Sequence, residues 1–301
     1  MVCFYGNRVD GEKLLVVQFG SGLIGSKISD KLAKRFKFCV SLKVDWTDVD
    51  SWVSNSVESF WTQFTYDKVE IVWAAGKAGF SANEEDVKQE IYNFSTIVNA
   101  LREQFSSLDD VRFWLMGSAG GLFEGQTFVT EESEPNPKRP YGDLKLAQEK
   151  IVQDLFPKSV ICRISSVFTN TNFKGRLGLI PILIRNGVQN KVSTIFGTES
   201  TIRDYILDEE IAYYVTNQIL QNSISSGVVY LIGGQPVSIR TIINRIEDIV
   251  LKKLLIKYVR DPSNSSNISF SSRLKPIHLK TASFQIHLKV LYNNLLSNNL
   301  N

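Results

Sequence analysis

At 301 residues the chain is long for one small domain and short for three, so one large domain or two intimately joined ones is the starting expectation. Hydrophobic residues make up 43% and charged residues 22%, a balance that fits a folded globular protein and excludes a disordered or fibrous chain. A net charge of +3 gives no reason to expect nucleic acid or an anionic membrane as partner.

Apolar, β-prone runs recur along the first half at Leu14 to Phe19, Phe38 to Val44, Val69 to Ala75, Val111 to Met116 and Val160 to Ile164. Between them, helical spacing covers Leu23 to Phe36, Val87 to Leu101 and Lys145 to Leu155. Strands alternating with helices predict an α/β fold whose parallel sheet is covered on both faces. The pattern then loosens into a loop, Thr169 to Gly175. A helix from Leu177 to Val188, a strand at Ser193 to Phe196 and a helix from Asp208 to Leu220 follow. A strand at Val228 to Ile232 and a helix from Ser238 to Leu251 come next, and the Ser- and Asn-rich tail from Asp261 is expected to fray at its last residues. The expected division is a dinucleotide-binding domain over 1–167 and a smaller substrate-binding lobe over 168–301, with parts of 193–232 returning to the first.

Cys3, Cys39 and Cys162 are too far apart for a zinc site or a disulfide framework, and a reducing cytoplasm is the expected location. The first dozen residues, with Asn7, Asp10 and Glu12, do not read as a signal peptide, and no apolar run is long enough for a membrane span. The only histidines are His278 and His287, so no metal site is expected.

Gly20-Ser21-Gly22-Leu23-Ile24-Gly25 has G-x-G-x-x-G spacing between the first of these strands and the first helix. Such a backbone turns sharply and lets a pyrophosphate approach amide groups at a helix N-terminus, where the dipole favours negative charge. Asp45 lies about twenty residues further on, the distance at which a dinucleotide fold sets an acid on the adenosine ribose. The same segment, Asp45-Trp46-Thr47-Asp48, also reads as a strand end followed by a helix cap. Both readings stand.

Tyr141 and Lys145 are four residues apart, which sets them on one face of a helix. An ammonium beside a phenol favours the phenolate, and that makes tyrosine a usable acid and base at a carbinol or carbonyl.

With these features the sequence resembles the extended short-chain dehydrogenase/reductase superfamily, the nucleotide-sugar epimerases, dehydratases and reductases, over nearly its whole length. Leu42 to Asp48 is similar to that family's "LDITD" segment, and Trp73-Ala74-Ala75 to its "NAA" strand end at the cofactor. Asn93 falls where an active-site asparagine is expected. Ser118 to Gly125, SAGGLFEG, aligns without gaps to the "STDYVFDG" of dTDP-4-dehydrorhamnose reductases, and Glu132, Pro135, Pro137 and Tyr141 to Glu149 continue the likeness. Phe196-Gly197-Thr198 and Arg203-Asp204-Tyr205-Ile206 resemble the signature of UDP-galactose 4-epimerase-like proteins, in which the arginine holds the substrate diphosphate. Gly178 to Arg185 resembles the segment lining the nucleotide pocket.

The resemblance implies a Rossmann-like doubly wound sheet and an NAD cofactor, with NADP left open. It sets Tyr141, Lys145 and Ser118 in the catalytic group, and Gly20 to Gly25, Asp45, Ala74, Ala75 and Lys145 at the cofactor. Asn93, Ser166, Leu179, Ile180 and Arg203 are then the residues at a nucleotide-diphosphate sugar, and a homodimer is the candidate assembly. Three positions depart from the pattern. Phe19 stands where a first glycine is frequent, Ala119 where the catalytic Ser or Thr aligns, and Ser166 where an asparagine is usual. Dehydratases carry an acid pair where this chain has Gly120 and Gly121, so dehydration is disfavoured and an epimerase or a reductase remains. The competing expectation is a cofactor-binding regulatory or structural subunit that keeps the fold without turnover.

Overall fold

A continuous run of buried residues, interrupted chemically only by Gln18, makes the strand before the glycine loop an interior strand, covered on both faces. The computed structural model describes residues 1–8, 10–61, 64–171, 178–224, 226–261, 264–276, 279 and 282–299. The elements over the first half are β1 (Val2–Asn7), β2 (Lys13–Phe19), α1 (Leu23–Ala33), β3 (Phe38–Ser41), α2 (Val49–Trp61) and β4 (Lys68–Trp73). They continue as α3 (Glu84–Gln104), β5 (Val111–Met116), α4 (Ala119–Leu122), α5 (Pro140–Leu155) and β6 (Ser159–Ile164). The second half holds β7 (Ser166–Phe168), α6 (Leu179–Val188), β8 (Ser193–Phe196), β9 (Ile202–Arg203) and β10 (Tyr205–Leu207). It closes with α7 (Asp208–Gln221), β11 (Gly227–Leu231), β12 (Val237–Ser238), α8 (Ile239–Val250), β13 (Ile256–Val259) and α9 (Phe284–Asn299).

Seven strands form one sheet in the order β11, β6, β5, β4, β2, β1, β3. The pairs from β2 through β4 and β5 to β6 are parallel, as alternating strands and helices require. This is the Rossmann-like α/β architecture. Its far side differs from a purely parallel sheet, because β1 lies antiparallel between β2 and β3. Val2 faces Gln18 on one side and Ser41 on the other. β3 is therefore two strand positions, roughly 10 Å, from the glycine-loop strand. It also stops at Ser41, short of Val44, and the chain from Leu42 to Asp48 runs as a loop.

The chain divides into two compact units, 1–122 with 135–163 and 212–229, and 123–134 with 164–211 and 230–301. In the first unit, Leu15, Val17 and Phe19 of β2, Ile71 and Trp73 of β4 and Phe113 and Leu115 of β5 pack against Phe94, Ile97 and Leu101 of α3. In the second, Leu183 and Ile184 of α6, Ile242 and Ile246 of α8 and Leu288 and Leu291 of α9 share a core. Ser238 caps α8 by accepting from the Thr241 amide at 3.1 Å. α9 lies in the polar tail, where the sequence pattern gives no helix. The end of that tail, the loop after Asn170 through residue 177, and His278 fall wholly or partly outside the described residues.

Candidate functional site

The glycine loop closes against the end of β4. Gly20 has φ +91°, and a Cβ there would sit 2.4 Å from the Ala74 carbonyl carbon and the Ala75 nitrogen. A Cβ at Gly25 would lie 2.2 Å from the Gly20 oxygen. Both positions are thus glycine for reasons internal to the fold. Gly22 differs: it is exposed, and its Cβ would meet nothing within 4 Å. It is the N-cap of α1, with no side-chain cap bond and no acidic residue in the first turn, so the helix presents bare amides and its positive dipole end. Ser21 is exposed, and Leu23 and Ile24 are half-buried. Ala74 donates its amide to the Phe19 oxygen at 2.8 Å, which ties the two strand ends together.

Phe19 turns its fully buried ring into the core, stacked on Trp73 with centroids 5.0 Å apart, and leaves the loop backbone unobstructed. Sequence reasoning missed its neighbour. The buried Gln18 Nε2 lies within hydrogen-bond distance of the Gly20 oxygen (2.9 Å), the Gly25 oxygen (2.7 Å) and the Ser29 hydroxyl (2.8 Å), three acceptors that share its two hydrogens. A lone amide in an apolar strand next to a glycine motif was the available signal.

Asp45 organises its own turn. Its Oδ1 accepts from the Thr47 hydroxyl at 2.6 Å and from the Thr47 and Asp48 amides, and the Thr47 hydrogen bond is the chief reason its carboxyl titrates below the usual range. Asp48 then caps α2 through the Ser51 amide at 3.1 Å. Asn93, nearly buried on α3, donates to the Trp46 oxygen at 3.0 Å and accepts from Gln89 at 2.9 Å. The Trp46 ring meets Trp73 edge-on at 6.1 Å, so the loop after β3 folds back to the end of β4 despite the intervening β1.

Pro140, in the first turn, opens α5 with its φ preset for the helix. Tyr141 and Lys145 follow one turn apart. The Lys145 ammonium lies 5.8 Å from the Tyr141 ring centroid and donates to Gln148 Oε1 at 2.9 Å; both Lys145 and Gln148 are buried. A Cβ on Gly121 would be 3.0 Å from the Tyr141 ring, and one on Gly142 would be 2.4 Å from the Gly121 oxygen, so two glycines let α4 and α5 approach. Phe80 also packs against this ring, with centroids 5.4 Å apart. Ser118 accepts the Gly121 amide at 3.0 Å, capping α4, and keeps its own hydroxyl proton to donate. Ala119 is fully buried.

In the second unit, the Ser166 amide donates to the Asp204 oxygen at 3.0 Å. Ile180 belongs to the core, with half-buried Leu179 packed against it. Arg203 donates to the backbone oxygens of Ile202, Ser266 and Asn264, which ties β9 to the 264–266 segment. Asp204 accepts the amides of Gly233, Gly234 and Gln235, and burial pushes its carboxyl above the usual range.

The first unit thus brings together the glycine loop, Ala74, Ala75, Ser118, Tyr141 and Lys145 on the carboxyl ends of β2, β4 and β5, where open α/β sheets bind their ligands. The uncapped helix and the open side of Gly22 fit a dinucleotide pyrophosphate. Among the described residues no cluster of His, Cys, Asp or Glu could hold a metal ion, and no helix is long and apolar enough to cross a membrane.

Comparison with known proteins agrees with this fold. UDP-glucose 4-epimerase from Thermus thermophilus, solved with NAD, superposes with a TM-score of 0.75 at 17% identity over 94% of this chain and 98% of that one. UDP-glucuronic acid 4-epimerase from Bacillus cereus, solved with UDP-glucuronic acid and NAD, gives 0.73 at 18% over 95% and 99%. RMD from Pseudomonas aeruginosa, complexed with NADPH, gives 0.73 at 18% over 94% and 99%. At these identities the likeness establishes the fold. No curated protein matches the sequence. The NAD dependent epimerase/dehydratase family profile matches residues 19–233, more than two thirds of the chain, and the chain belongs to that family.

Proposed function

We propose that this protein is an NAD(P)-dependent nucleotide-sugar epimerase or 4-keto reductase with Tyr141 as its acid/base. The observation that carries the reading is the Tyr141–Lys145 pair, seated on α5 in the same unit as the open glycine loop. The structural neighbours named above, which carry UDP-sugars, NAD or NADPH, support the same class of substrate and cofactor.

Bound dinucleotide supplies the acceptor or donor of hydride at a sugar carbon. The chain moves the proton. In the oxidative direction, the Tyr141 oxygen takes the hydroxyl proton from the carbon that loses hydride; in the reductive direction it returns a proton to the carbonyl oxygen. Lys145, held by Gln148, contributes the positive charge that favours the phenolate during that exchange. Ser118 donates its hydroxyl proton to the same carbonyl oxygen. Gly121 and Phe80 confine the tyrosine ring, and the ring fills the space that a side chain at position 121 would need. That crowding accords with a site lacking the acid pair of dehydratases. Arg203 is the candidate for the diphosphate, and the segment from Gly178 into α6 is the candidate for the nucleotide pocket.

Ala119 favours a second reading. It is fully buried and carries no hydroxyl, and Ser118 serves α4 as a cap, features that suit a subunit which binds cofactor without turnover. Incubating the protein with UDP-, GDP- and dTDP-sugars, with and without NADH or NADPH, separates the two. Epimerised or reduced sugar from any of them supports the enzyme. NAD binding without product on the whole panel supports the subunit.

A further inference from the structure

Glu90, on α3, belongs to none of the sequence motifs, yet its carboxylate lies against the chain that follows β4, beside Lys145. Its Oε2 accepts the backbone amides of Lys77 at 2.8 Å and Ala78 at 2.7 Å, fixing the chain just after the end of β4. Its Oε1 is out of solvent contact and has no hydrogen-bond partner among the described residues. A carboxylate oxygen in that position is costly unless a donor reaches it.

The surroundings define which donor. A Cβ built on Gly76 would lie 3.0 Å from this Oε1 and 3.7 Å from the Lys145 ammonium, so carboxylate and ammonium flank one point above Gly76. Gly76 itself is exposed. On the proposed reading, hydride and proton leave the same H–C–O–H group, so the nicotinamide must lie at Tyr141 while the pyrophosphate lies at the glycine loop. The segment between them is a ribose with two hydroxyls. Ala74 to Ala78 runs along that span.

We propose that Glu90 is a positioning residue for the dinucleotide: one oxygen holds the 77–78 backbone, and the other accepts a hydroxyl of the nicotinamide-side ribose beside Lys145. The inference rests on the cofactor reading above and extends it to a residue and a contact of its own.

The test compares three ligands by titration calorimetry, NAD, ADP-ribose and ADP, of which only the first two contain the second ribose. In Glu90→Gln the amide oxygen still accepts the Lys77 and Ala78 amides, while the other arm becomes a donor facing an ammonium. NAD and ADP-ribose should weaken roughly ten- to a hundredfold, the worth of one charged hydrogen bond, with ADP unchanged within about twofold. Gly76→Ala, which fills the same point while leaving Glu90 in place, should give the same selectivity and guards against a folding defect in the first variant. Equal loss of all three ligands would mean that Glu90 only braces the loop, and unchanged NAD affinity or loss of NAD alone would equally overturn the ribose contact. Wild-type protein that binds ADP but neither NAD nor ADP-ribose would remove the cofactor reading together with this inference, whereas intact wild-type binding with insensitive variants removes the inference alone.

Discussion

Gln18 Nε2 lies 2.7 Å from the carbonyl oxygen of Gly25 and 2.9 Å from that of Gly20, so one buried amide ties both ends of the glycine loop to the strand that leads into it. Replacing it by leucine keeps the volume and removes those donors, leaving two carbonyls to find other partners. Gln18→Leu should cost about 1–3 kcal/mol, lower the melting temperature by a few degrees, and weaken NAD by about tenfold through the loosened loop. Calorimetric melting and NAD titration on the one variant check both; unchanged values would show that the amide is incidental to the loop.

Two glycines in the same loop should fail in different ways. Gly20 is held at positive φ with Ala74 and Ala75 where a Cβ would go, whereas a Cβ on Gly22 meets only open space. Gly20→Ala should therefore destabilise the ligand-free protein, by about 2 kcal/mol or more. Gly22→Val should melt close to the wild type yet lose NAD, because its side chain would fill the approach to the α1 amides. A Gly22→Val protein with full NAD affinity would put the pyrophosphate elsewhere.

The glycine loop and the Y-x-x-x-K pair were legible because their chemistry demands fixed spacing within one turn or one helix. β1 was not. Cys3 and Phe4 are buried, but the run is short and mixed, and only the long-range pairing of Val2 with both Gln18 and Ser41 makes it a strand. α9 escaped for a related reason: its Asn-rich sequence has weak helix propensity, and Leu288 and Leu291 are ordered by packing with α6 and α8. Asp45 fitted two descriptions that can hold together: its hydrogen bonds to Thr47 shape the turn before α2, and Asp48 supplies the cap. Glu90 reaches from α3 to the 77–78 backbone, and a charged residue on an amphipathic helix carries no mark of that in sequence.

Arg203 separates substrate binding from bracing. Its contacts with the backbone oxygens of Ser266 and Asn264 tie β9 to the 264–266 segment, and the same guanidinium is the candidate for a nucleotide diphosphate. Arg203→Ala should weaken UDP or dTDP binding by on the order of a hundredfold while NAD affinity stays within about twofold. A lower melting temperature of the ligand-free variant, with nucleoside-diphosphate binding intact, would assign Arg203 to bracing alone.

Removing a single atom tests whether the Tyr141 oxygen moves the proton. Tyr141→Phe keeps the ring and its contacts with Gly121 and Phe80, so fold and NAD affinity should match the wild type. Turnover of whichever nucleotide sugar the wild type converts should fall by about 10²–10⁴-fold, measured as product per enzyme at saturating cofactor. Equal turnover by the two proteins would contradict the account.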